Sequence, residues 1–260
     1  MELTIYQVDA FAEDIFQGNP AAVVPLQEWL PDETMQSIAL ENNLSETAFF
    51  CPSEQGFKIR WFTPLAEVDL CGHATLASAH VLFNHMDYKN DEIHFESRSG
   101  VLLVKKEKNK ILLNFPASQV EAIYIPPNLK TAFQSHPNKC FKGREDLMLV
   151  FKNEQDIQNL HPDFMKITEA TARGIICTAP SGKYDFVSRF FAPAVGINED
   201  PVTGSAHTML IPYWSKQLNK TEMTAKQISK RGGIIHCKDL GERVEIGGKA
   251  VTYMIGKIIG

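Results

Sequence analysis

The sequence predicts an α+β protein built from two similar halves, each a sheet curled round one buried helix. Three observations predict it: short strings recur in one order about half a chain apart, strand-like runs outnumber helical ones, and each half carries one nearly all-apolar helix led by glycine. A doubly wound parallel sheet fits less well, because the regular alternation of strand and helix is missing.

Arg60-Trp61-Phe62-Thr63-Pro64 returns as Arg189-Phe190-Phe191-Ala192-Pro193, and Gly72-His73-Ala74-Thr75 returns as Gly204-Ser205-Ala206-His207, each ~130 positions on. Upstream, Pro31-Asp32-Glu33-Thr34-Met35 is echoed by Pro162-Asp163-Phe164-Met165. Three echoes in one order at nearly one displacement point to duplication, with three extra residues between the arginine and glycine strings of the second copy. The halves are assigned to residues 1–118 and 119–260, joined in the proline-bearing stretch 116–137, with the last strand free to return to the first half.

Residues 3–11 and 21–26 read as strands, followed by a polar helix that opens near Pro31-Asp32, with Asp32 as its N-cap, and ends at Asn42-Asn43. Residues 47–51 and 57–62 are rich in aromatic and β-branched side chains and read as strands. From 73 to 83 nearly every position is small or apolar, the pattern of a helix buried all round, and Ala74, Ala77, Ser78 and Ala79 let neighbouring backbone approach. Residues 205–214 have the same character, with Pro212 expected to kink or shorten the helix. Residues 101–105, 111–115, 244–246 and 250–255 read as strands, and Gly247-Gly248 as a two-residue hairpin turn.

A chain of 260 residues with 44% hydrophobic residues and a mean hydropathy of -0.17 has a real core available, which excludes the disordered and fibrous classes. Its net charge of -5 provides no global basic field, which argues against nucleic acid and anionic membrane surfaces as partners. Five scattered cysteines without a C-x-x-C pair argue against a disulfide framework or zinc ribbon and for a reducing compartment. The first residues have neither a basic n-region nor an apolar h-region, and the longest uncharged stretch, 70–86, falls short of the ~20 apolar residues of a bilayer span. A cytoplasmic protein is expected. The eight histidines form no H-x-x-x-H pair, and phosphate-loop, dinucleotide and G-x-S-x-G strings are absent, so a mechanism with neither metal nor cofactor is the economical expectation.

A helix start offers unpaired N–H groups and partial positive charge, and glycine there lets a ligand come close. Gly72 and Gly204 are each placed at such a start, and two matching starts facing a common cleft would clamp an anion such as a carboxylate. The same glycines would also serve close helix packing alone. His73 and Ser205 stand at these starts, and Asp200 precedes Pro201 just before the second. Together they supply the groups that proton transfer beside a bound anion needs. Taken singly, His73 also reads as a hydrogen-bonded core histidine and Asp200 as a capping carboxylate. Glu46 stands where a polar helix gives way to an apolar strand. In a partly closed cleft it would suit taking and returning a proton; in solvent it would be an ordinary strand-end glutamate.

Five strings in order, Gly18-Asn19-Pro20-Ala21-Ala22-Val23, Leu44-Ser45-Glu46-Thr47-Ala48-Phe49, the Arg60 string, Leu70-Cys71-Gly72-His73-Ala74-Thr75 and the run from Glu199 through Asp200 and Gly204 to His207, resemble the PhzF-like isomerases of phenazine biosynthesis. That family shares a fold superfamily with diaminopimelate epimerase and proline racemase. The likeness extends from about Tyr6 to the closing Gly247-Gly248-Lys249-Ala250-Val251-Thr252 string. It implies two halves, each a β-barrel-like sheet wrapped around a central helix, with the site between them, and a homodimer acting on a small carboxylate without a cofactor. In the phenazine enzyme a glutamate is general acid/base in the double-bond isomerisation of dihydro-hydroxyanthranilate, and the matching residue is Glu46. The resemblance further assigns His73, Asp200 and Ser205 to catalysis, and Asn19, Ser45, Gly72 and Gly204 to substrate binding. The racemase branch uses two thiols. Cys71 takes the first place and Pro201 is read at the second, which excludes a two-thiol epimerisation. An epimerase or lyase on another small acid, or a non-catalytic binding or scaffold protein, are the alternatives.

Overall fold

A computed structural model describes residues 2–170 and 173–260. The chain forms two compact units, Met1–Asn114 with Gly247–Gly260, and Phe115–Ile246. The boundary thus falls four residues before the expected 118, and residues 247–260 belong to the first unit.

In chain order the elements leading through the first unit are β1 (Glu2–Ala10), β2 (Asn19–Pro25), α1 (Asp32–Asn42), β3 (Glu46–Ser53), β4 (Gly56–Phe62), β5 (Glu67–Val68), α2 (Gly72–His85), β6 (Glu92–Ser97), β7 (Gly100–Glu107) and β8 (Lys110–Pro116). The second contains β9 (Glu121–Ile123), α3 (Pro127–Thr131), β10 (Lys139–Lys142), β11 (Asp146–Val150), α4 (Glu154–Gln158), α5 (Phe164–Thr168), β12 (Gly174–Pro180), β13 (Phe186–Ala192), β14 (Ile197–Asp200), α6 (His207–Leu218), β15 (Glu222–Gln227), β16 (Gly233–Asp239) and β17 (Arg243–Gly248). The last strand, β18 (Ala250–Ile259), pairs antiparallel with β1.

The pairing repeats from one unit to the next. In the first, β1–β2 is antiparallel, β2–β3 parallel, β3–β4 and β4–β5 antiparallel, β4–β6 parallel and β6–β7 antiparallel. The second runs through the same series, β10–β11, β11–β12, β12–β13, β13–β14, β13–β15 and β15–β16, with the same sense at each step. The recurring arginine explains itself here. Arg60 pairs with Glu67 through two N–H donors at 2.7 Å and lies over the Phe62 ring at 5.1 Å. Arg189 pairs likewise with Glu199 and lies over Phe191 at 4.9 Å. The arginine–glutamate spacing is 7 in the first copy and 10 in the second, so the three extra residues fall between the pair.

α2 is the buried helix of the first unit. Ala74, Leu76, Ala77, Ala79 and Val81 have no exposed surface, and the helix packs on β1, β2, β3 and β18. Its counterpart α6 buries Met209, Leu210, Ile211 and Trp214. Trp214 stacks on Phe186 at 5.5 Å and donates its indole N–H to Thr178, so the buried ring is satisfied.

Three local expectations need correction. Asp32 is the first helical residue of α1 and Pro31 its cap, the proline ψ of 141° being extended as the position requires; the Asp32 carboxylate instead takes Arg60. Pro212 does not shorten α6, which continues to Leu218. Proline lacks the N–H that would bond Thr208, and the Ser118 N–H, at 3.1 Å from the Thr208 carbonyl, takes that place. Gly247 and Gly248 are strand residues and not a hairpin turn. A Cβ on Gly248 would stand 2.5 Å from the Phe11 ring, so the glycine serves close approach.

Candidate active site

Three elements of the first unit bring its predicted residues together. Asn19 opens β2, and the parallel register of β2 with β3 sets Glu46, the first residue of β3, beside Ala21. Cys71 caps α2 in extended conformation, and Gly72 and His73 open it. Glu46 Oε2 consequently lies 3.1 Å from His73 Nε2, with the side chains 14% and 7% exposed. On the other edge of the ring, Nδ1 is 3.3 Å from Asn19 Nδ2 and 3.5 Å from Cys71 Sγ. In the neutral ring Nδ1 accepts from the Asn19 amide and the hydrogen stands on Nε2, facing Glu46; a protonated ring donates at both nitrogens, with the Asn19 amide turned to present its oxygen to Nδ1. Ser45 is half-buried in the bend that enters β3.

The Glu46–His73 contact has ion-pair distance without hydrogen-bond alignment, and Oε2 and Nε2 are both buried with no hydrogen-bond partner. Buried polar atoms of this kind are uncommon, and here they leave an acid/base pair with capacity for a third group. Burial works against charge on the His73 ring; Cys71 and Glu46 outweigh it and hold its pKa well above the ordinary value. Burial, reinforced by the Glu46 charge, also pushes the Cys71 thiol up. With Cys71 kept as a neutral thiol, the Glu46 carboxylate is the anion that favours a protonated His73.

Ligand atoms of Glu46, Cys71 and His73 lie within 4.8 Å of one another, a grouping a metal ion could use. Cys71 is nearer Nδ1 and Glu46 nearer Nε2, on opposite edges of one ring, so whichever ring nitrogen met an ion would be the near neighbour of one of the other two ligands and not of both.

In the second unit Asp200 ends β14 and accepts from the Thr203 hydroxyl at 2.5 Å. Its carbonyl accepts from Gln227 Nε2 at 2.7 Å, while Gln227 Oε1 accepts from the Thr203 N–H at 2.9 Å. Asp200 is therefore built into the segment before the helix through Thr203 and Gln227, and it does not cap α6, whose N-cap is Ala206 with no side-chain bond. Gly204 does not open the regular helix, which starts at His207. The N–H groups of His207 and Thr208 bond the carbonyls of Gly204 and Ser205, a tighter i→i+3 turn that precedes it. Ser205, half-buried in that turn, accepts from Arg173 Nη2 at 3.2 Å. With Gly204 aligned on Gly72, the residue matching Cys71 is Thr203, not Pro201; a hydroxyl stands there, so a second thiol remains excluded.

Sequence reasoning missed Arg173 and Gln227. Each is an isolated polar residue outside every recurring string, and only the folded register of β12 and β15 brings it to the Asp200–Ser205 turn.

The family model described as phenazine biosynthesis-like protein matches residues 8–256. The chain belongs to the PhzF-like isomerase family. An uncharacterized isomerase of Pseudomonas aeruginosa is 50% identical to this PhzF-like chain over 258 residues, 99% of each. The crystal structure of a PhzF-family phenazine biosynthesis protein of Enterococcus faecalis matches it with a TM-score of 0.97 at 47% identity, over 100% of both chains. At the level of fold alone, a hydroxyproline epimerase of Agrobacterium vitis, solved with bound trans-4-hydroxy-L-proline, matches with a TM-score of 0.65 at 8% identity, covering 99% of this chain and 92% of that one. The PhzF-like chain thus has the diaminopimelate epimerase-like fold. Among its described residues, no helix is long and apolar enough to cross a membrane.

Proposed function

We propose that this isomerase moves a proton on a small carboxylate by general acid/base catalysis at Glu46, without a cofactor. The observation that supports the reading is the buried Glu46–His73 contact at 3.1 Å, in which neither facing atom has a hydrogen-bond partner. Glu46 takes a proton next to a carbonyl or conjugated system and returns it elsewhere, while His73 holds the carboxylate and shares the proton. Asn19 and Ser45 orient the substrate, the backbone amides at Gly72, which opens α2, and at Gly204, in the tight turn before α6, favour its negative charge, and Asp200 and Ser205 take the positions that the family resemblance gives them. The same reading makes the protein a cytoplasmic homodimer, from its cysteine pattern and its family.

The test is solvent-deuterium incorporation followed by NMR, with dihydro-hydroxyanthranilate and trans-4-hydroxyproline as probes. Label entering at a new carbon marks isomerisation, and label at the original carbon marks epimerisation. Glu46→Gln is expected to lower the exchange rate by about 10² to 10⁴ with circular dichroism unchanged. Wild-type exchange rates in a folded Glu46→Gln protein would remove Glu46 from the chemistry.

A further inference from the structure

The Ser205 hydroxyl is held from behind by a charged network that no motif announced. Arg173 immediately precedes β12, and its guanidinium donates to Asp146 at the start of β11 through Nε at 2.8 Å and through Nη2. Asp146 is 3% exposed, and Gly174 pairs with it across the parallel β11–β12 ladder. Beneath the guanidinium lies the Phe190 ring, 5.6 Å from Arg173 Cζ. Gly174 makes room for that ring, since a Cβ there would stand 2.4 Å from Phe190 Cζ. Glu145 adds a second carboxylate at 3.4 Å. Two carboxylates more than offset the one positive charge, so the guanidinium is placed as a rigid donor and not as a free counter-charge for a ligand.

The remaining contact of this fork is Nη2 to Ser205 Oγ at 3.2 Å. A guanidinium has donors only, so Ser205 must accept, and its one hydrogen must point elsewhere. Among the described residues nothing accepts that hydrogen. We propose that Arg173, fixed by Asp146, is a positioning residue that makes Ser205 an obligate hydrogen-bond donor to an oxygen of the bound carboxylate. The inference rests on the proposed reading of the Gly204–Ser205 turn as a carboxylate contact. Accepting from a cation polarises the hydroxyl and strengthens the bond it donates.

A double-mutant cycle tests this, with binding of benzoate, anthranilate and trans-4-hydroxyproline measured by calorimetry and melting temperature measured in parallel. Arg173→Lys keeps the charge beside Asp146 and loses the fork; Asp146→Asn keeps the fork and loosens its anchor, and stands in should the lysine variant not fold. Ser205→Ala and Arg173→Lys are each expected to weaken binding about five- to twentyfold, and the double variant no more than Ser205→Ala alone. A purely structural arginine would lower the melting temperature and weaken binding equally with or without Ser205, and such additivity overturns the inference. So does a Ser205→Ala loss that Arg173→Lys and Asp146→Asn fail to reproduce. If no probe binds the wild-type protein, or Ser205→Ala leaves binding intact, the reading of the turn falls and the inference falls with it.

Discussion

His73 and His207 stand two places apart when the duplicated strings are aligned, yet their surroundings drive them in opposite directions. His73 holds its proton to higher pH than the unfolded chain does, so its contribution to stability is complete below about pH 6.5 and is lost as pH rises through the native value. The melting temperature is therefore expected to fall on the alkaline side, and Glu46→Gln, which removes the anion favouring the imidazolium, should flatten that fall. His207 donates Nδ1–H to the Thr203 carbonyl at 2.9 Å, its Nε2 is buried without a partner, and burial, opposed by the Thr203 bond, lowers its pKa to about 4. The unfolded chain takes up a proton that the native ring refuses, so up to about 3 kcal/mol should be lost between pH 6.5 and 4. His207→Asn, which keeps a donor for Thr203, should reduce the acid limb of a urea-midpoint titration; an unchanged limb would remove His207 as its source. Residue types at both positions were legible in the sequence. Their charges were not, because only folding sets a carboxylate beside one ring and a carbonyl beside the other.

At the scale of elements, α2 was readable because its apolar character surrounds the whole helix, and its packing bears out the small residues. Ala77 has no exposed surface, so Ala77→Leu should cost about 1–3 kcal/mol by overpacking, read as a lower urea midpoint with unchanged slope. α6 was harder to read. Its start was misplaced by three residues because glycine, serine and alanine suit a tight i→i+3 turn as well as a first α-turn. Its passage through Pro212 could not be foreseen, since the compensating N–H belongs to Ser118, far away in sequence. Asp32 was read as a cap by residue type, whereas Arg60 gives its carboxylate another task.

For the whole molecule, duplication was legible because the arginine string performs the same bidentate pairing in both copies, a task that needs the same residue type at the same place in each. Arg173 illustrates what stays hidden, since its partner Asp146 lies 27 residues away and meets it only when two parallel strands align. The division into units makes a separate prediction. Removing residues 247–260 strips β18 from β1 and leaves a long unpaired edge in the first unit. Such a chain should lose cooperative unfolding of the first unit and aggregate, while hydrogen exchange still protects amides of β11–β13 in the second. Equal loss of protection in both would contradict the independence of their cores.

The return of β18 also sets an order of assembly. Phe115–Ile246 is one uninterrupted stretch and has every strand of its sheet in hand before the closing segment is synthesised, whereas Met1–Asn114 leaves the ribosome first and must wait for Gly247–Gly260. The older part of the nascent chain therefore matures last, with one border of its opening strand bare throughout, and there a chaperone would find its longest window.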